Sequence, residues 1–140
     1  MGPFADGWIE ADVEAVVARG DPRELLYVPI VVGMNAADCE QEWAESMCFN
    51  LASHPDFNVR GNAILGLGHI ARTCRTLSLE RAVPLIASAL SDPHEYVRSH
   101  ASNAACDLHV YLGVEVPGYE TANTDELFKA VEGLRRQNDA

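Results

Sequence analysis

The chain repeats itself. Displaced by 38 residues, 42–70 aligns with 80–108 without a gap: Glu42 meets Glu80, Ala44 meets Ala82, Ser53 meets Ser91, Pro55 meets Pro93, Val59 meets Val97, Arg60 meets Arg98 and Ala63 meets Ala101. Met47/Leu85, Cys48/Ile86 and Ile70/Leu108 are conservative pairs. A period of this length marks a supersecondary unit that cannot bury its apolar face alone and must stack on its neighbours. Each copy reads as a helix, a Pro turn, and a second helix opened by Val-Arg. Residues 9–33 follow the same plan more loosely, with an Asp-Pro turn.

Apolar periodicity supports the plan. Ile9, Val13, Val16 and Val17 predict a helix from about Trp8, closed by Gly20. Asp21, Pro22 and Glu24 read as cap, first helical position and capping box of a second helix reaching about Gly33. Residues 36–52 predict a third helix, with Cys39, Trp43, Met47 and Leu51 as its apolar stripe and Asp38, Glu42 and Glu45 on another face. The fourth spans about Asn58 to Arg72, and the fifth runs from Ser78 to Leu90 despite Pro84. The sixth is capped by Asp92, with Pro93 at its first position, and reaches about Leu112. A capping box at 123–126 opens a last helix. No stretch alternates with period two, so the chain reads as all-α.

"DPHEYVRSHASNAACDL" and "HPDFNVRGNAILGLGHI" resemble the second half of a HEAT repeat, and "ERAVPLIASAL" resembles its first helix, including the proline that family tolerates. The resemblance is clear over about residues 37–112. It implies a short α-solenoid of HEAT-like helix pairs with capping helices, second helices lining the concave side. The expected organisation is one domain over 1–140: a loose end at 1–7, a degenerate first repeat at 8–35, repeats at 37–73 and 77–112, and a C-terminal capping helix at 123–137. His54 departs from the family's turn Asp, and Ala105-Cys106 from its Leu-Gly. By the same resemblance, Arg60 pairs with the turn residue Asp92 of the next repeat.

The charge is −11 and uneven. Residues 1–56 hold 11 acids against Arg19 and Arg23 only. That sign repels phosphate backbones, which excludes direct nucleic-acid binding, and steers basic partners to the N-terminal half. Cys39, Cys48, Cys74 and Cys106 fit no zinc spacing, and a reduced, cytoplasmic setting is expected. No signal peptide is visible, and the longest apolar run, 25–34, is too short to span a bilayer.

Gly66-Leu67-Gly68 has the look of a phosphate loop, but it lies inside a helix, no strand precedes it, and Ala71 stands where a third Gly is needed. A helix–helix contact is the better account, because Gly inside a helix costs about 1 kcal/mol relative to Ala. The five histidines have no metal-ligand spacing, and Cys106, Asp107 and His109 do not converge as a triad on one helix. No catalytic, cofactor or metal residues are expected.

Two polar stripes remain. Asn62, Leu65, His69 and Arg72 on the fourth helix, and His100, Asn103, Asp107 and Tyr111 on the sixth, follow nearly the same offsets, and the repeat pairs Asn62 with His100, Leu65 with Asn103 and His69 with Asp107. They are expected to form one concave surface suited to a protein partner. Asp38, Glu42 and Glu45 form a second candidate surface. The expected function is a non-catalytic protein-binding module. Some bacterial immunity proteins are built from HEAT-like helices, so the resemblance extends to an acidic inhibitor that neutralises a basic toxin or effector. The alternatives are a HEAT-like enzyme or cofactor carrier, of lyase or metal-dependent hydroxylase type, and a structural adaptor.

Overall fold

The computed structural model describes residues 1–119. Among these, every regular element is helical: α1 (Glu10–Arg19), α2 (Pro22–Leu25), α3 (Val28–Met34), α4 (Gln41–Leu51), α5 (Phe57–Cys74), α6 (Leu79–Ala89) and α7 (Glu95–Leu112), with short 3-10 turns at Gly2–Phe4 and Ala36–Asp38. The helix expected at 123–137 lies outside the described residues. Second helices α3, α5 and α7 stack in series. α5 at the centre packs most extensively on α7, then on α3 and α4, and α6 leans on α7. This is a short all-α solenoid.

Local chemistry fixes most boundaries. Gly20 and Gly113 close α1 and α7 at φ 69° and 65°, a left-handed backbone that glycine adopts without strain. Asp21 caps α2 by accepting the Arg23 N–H. Glu24 completes no capping box; its carboxylate pairs with Arg19 at 2.9 Å. The single helix expected over 22–33 is two, because Pro29 lacks an N–H and so cannot donate to the Leu25 carbonyl. Likewise the helix expected over 36–52 begins only at Gln41, after an extended Cys39 (φ −120°, ψ 171°). Cys39 therefore leaves the apolar stripe, and the fully buried face of α4 is set by Ala44 and Cys48. Ile9 is 67 % exposed and precedes α1, whose core residues are Val13 and Val16.

The two Pro turns hold the repeats in register by an exchanged pair. In His54-Pro55-Asp56, His54 Nδ1 accepts the Asp56 N–H and Asp56 caps α5. In Asp92-Pro93-His94, Asp92 Oδ1 accepts the His94 N–H and His94 Nδ1 caps α7. Imidazole and carboxylate have traded places, and each supplies the acceptor that its position needs. The cap of α7 is thus His94 and not the expected Asp92, and Pro93 precedes the helix instead of taking its first position. Arg60 forks onto Asp92 at 2.8 and 2.9 Å, as the resemblance implied, and also donates to the carbonyls of His54 and Pro55. Arg98 makes the equivalent carbonyl bonds to Asp92 and Pro93.

The α5 glycines are contact points. A Cβ on Gly66 would lie 2.8 Å from both Cys48 Sγ and the Pro29 carbonyl oxygen, and one on Gly33 would lie 2.8 Å from the Gly66 oxygen. On the other side, a Cβ on Gly68 would meet Asp107 Oδ2 at 2.8 Å and the Ala104 Cα at 3.0 Å. Side chains at these positions would force α3, α5 and α7 apart. Around the contacts, Val59, Ala63, Leu67 and Ile70 are fully buried.

Candidate functional site

The two stripes do come together across the α5–α7 contact, but much of their polarity faces inward. Asn62 is only 2 % exposed. Its Nδ2 donates to the Leu26 carbonyl at 2.8 Å, and its Oδ1 accepts the Tyr96 hydroxyl at 2.5 Å. Asn62 therefore belongs to the interior, where it ties the first, second and third repeats together, and not to a partner surface. Tyr96, missed by sequence reasoning, packs against Gly61, where a Cβ would meet its ring at 2.8 Å. Gly61 was the available signal for a ring pressed onto the helix.

The rest of the stripe is largely self-engaged. Leu65 is half-buried and Asn103 exposed. Arg72 Nη2 donates to His69 Nδ1 at 2.9 Å, which leaves the His69 proton on Nε2. Burial, then the neighbouring Arg72 and His100, hold the His69 pKa down. Burial also lowers His100, which tilts over the Tyr96 ring at 4.2 Å. Asp107 is pushed up by burial, partly offset by Arg72. Arg75 closes α5 at φ 58° and sits 4.7 Å over the Tyr111 ring. The fixed cations here, Arg72 and Arg75, outnumber the Asp107 carboxylate and disfavour a basic partner on this face.

The acidic surface divides as well. Glu45 is 5 % exposed and accepts the Ser78 N–H at 2.7 Å and the Ser78 hydroxyl at 3.2 Å. It anchors the start of α6 from within and is removed from the candidate partner surface. Asp38 and Glu42 remain exposed, and Glu10, Glu14 and Glu40 join them. Trp43 Nε1 donates to Glu14 at 3.3 Å, which ties α1 to α4. Arg19 and Arg23 are paired with Glu24 and Asp21, so neither arginine neutralises this edge. Where α1 meets the 36–38 turn, a cavity of about 500 Å³ is lined by Trp8, Ile9, Glu10, Asn35, Asp38 and Cys39, with Gly7. Sequence reading missed it because Trp8 and Glu10 are 28 or more residues from Asp38, and no motif links them.

Among the described residues, no group of three or more His, Cys, Asp or Glu is placed to hold a metal ion, and no helix is long and apolar enough to cross a membrane. Repeat period, stacked second helices and the forked Arg60–Asp92 pair agree with a family match: a model described as HEAT repeats covers residues 38–108, just over half of the chain. The chain belongs to the HEAT-repeat family. HEAT repeats are in general protein-interaction modules. Comparison with the curated proteins and with the solved structures finds no match in either.

Proposed function

We propose that this HEAT-repeat protein is a non-catalytic binding module that holds a basic protein partner on the acidic edge of its first repeat. On this reading it acts in the cytoplasm as an immunity or inhibitor protein against a basic toxin or effector. The observation that carries the reading is the row of exposed carboxylates Glu10, Glu14, Asp38, Glu40 and Glu42; Arg19 and Arg23 of the same repeat are engaged with other acids, and Arg81 approaches the row at its Glu42 end. Such a field accelerates encounter with a cationic partner and discriminates against anionic ones.

The experiment is co-expression with the protein encoded beside it, followed by purification and titration. A complex is expected at micromolar concentrations or below. Its affinity should fall as salt rises, because exposed charges are screened over a Debye length of about 10 Å at 0.1 M. Absence of a complex at micromolar concentrations, or a salt-independent affinity, would count against the reading.

A further inference from the structure

The cavity between α1 and the 36–38 turn carries two carboxylates, and most of the backbone donors on its wall are already used. The backbone N–H groups of Gly7, Ile9, Asp38 and Cys39 are all engaged, by Phe4 O, Asp12 Oδ2, Asn35 O and Ala36 O. The Asn35 amide nitrogen donates to the Val31 carbonyl at 2.8 Å, so its remaining polar atom is an acceptor. Glu10 and Asp38 supply the two carboxylates, and among the described residues no basic side chain lines the space. After burial, these two carboxylates are the largest influences holding the Cys39 thiol above its ordinary pKa, so both fields reach the same wall. Trp8 supplies an indole, set edge-on to Phe4 at 6.2 Å and 66°. Exposed Ile9 extends the apolar side.

Two carboxylates and an indole lining one space fit a planar cation with several N–H donors. A guanidinium can stack on the aromatic face while forking onto a carboxylate, whereas an ammonium is a compact, strongly hydrated charge with no plane to stack. The cavity's volume lies within the range of sites that admit small ligands. We infer that this groove is an anchor pocket for an arginine side chain of the partner, stacked on Trp8 and bridged to Glu10 and Asp38. The inference rests on the proposed acidic-edge interface and gives it a specific contact.

The test uses the full chain, labelled with nitrogen-15, and N-acetyl-arginine amide as probe. Saturable shifts are expected at the Trp8 indole N–H and at the Asp38 and Cys39 amides. The citrulline analogue, which has the same shape without the charge, should give none, and the lysine analogue should bind several-fold more weakly. Asp38→Asn and Glu10→Gln should each weaken binding by about two- to fivefold, the range of one exposed ion pair. Equal binding of citrulline or lysine, shifts centred elsewhere, or unaltered binding in both variants would overturn the pocket. Loss of the arginine response with the partner complex intact would refute the pocket alone. Loss of the partner complex with the arginine response intact would refute the proposed function alone.

Discussion

Replacing Asn62 with Ala separates a structural tie from a recognition residue. The side chain is 2 % exposed and makes two hydrogen bonds, to the Leu26 carbonyl and from the Tyr96 hydroxyl. Each contributes about 1 kcal/mol net, and a buried carbonyl left without its donor costs about 1–3 kcal/mol more. Half-buried Tyr96 can recover water, so the larger penalty falls on Leu26. Together these give a loss of about 3–5 kcal/mol. With an unfolding entropy of about 2.1 cal/mol/K per residue, the 140-residue chain should melt about 10–17 °C lower. The assay is thermal and urea unfolding of the parent, Asn62→Ala, Tyr96→Phe and the double variant. Tyr96→Phe alone should cost about 1–2 kcal/mol by stranding Asn62 Oδ1, and the double variant should cost clearly less than the sum. A stability within 0.5 kcal/mol of the parent, combined with loss of partner binding, would refute the reasoning and return Asn62 to the surface.

Gly66→Ala gains about 1 kcal/mol of helix propensity but drives a methyl to 2.8 Å from the Pro29 carbonyl and Cys48 Sγ. Overpacking of about 1–3 kcal/mol outweighs the gain, so the urea midpoint should fall with the m-value unchanged. Asp92 is held below the usual carboxylate range chiefly by its hydrogen bond from Arg60. Its contribution is therefore complete above the unfolded value of about 3.9 and is lost as pH falls through the lower folded value. Asp92→Asn should reduce stability at neutral pH and flatten that acid limb in pH-dependent urea unfolding. Burial lowers His69 and His100, so the unfolded chain takes up their protons first. Their contribution is lost as pH falls from about 6.5 through the folded values, and a His69→Gln/His100→Gln variant should lose stability less steeply over that window.

The repeat was legible because its signals are local and duplicated. Pro55 and Pro93 mark the turns, Val59-Arg60 and Val97-Arg98 open the second helices, and Gly66 and Gly68 cannot serve a helix except by close packing. The Arg60–Asp92 fork followed from the family resemblance. The site was less legible because spacing on a helix gives direction but not depth. Asn62 and Glu45 hold the right angular positions for a polar face, yet each lies under a neighbouring element: Asn62 beneath Tyr96 and the Leu26 carbonyl, Glu45 beneath the start of α6. Pro29 and the extended Cys39 divide helices that apolar periodicity joined, since periodicity carries no penalty for a missing N–H. The groove joins residues 8–10 to residues 35–39 through tertiary packing, which neither composition nor period encodes.

The most direct test of where the partner binds is the hydrogen-exchange footprint of the complex on this chain. Protection should appear over residues 8–14 and 35–43, while α5 and the exposed face of α7 around Asn103 keep their free-state exchange. Protection centred on Leu65, His69, Asn103 and Tyr111, with the first-repeat edge unchanged, would contradict the account and place the partner on the concave stripe.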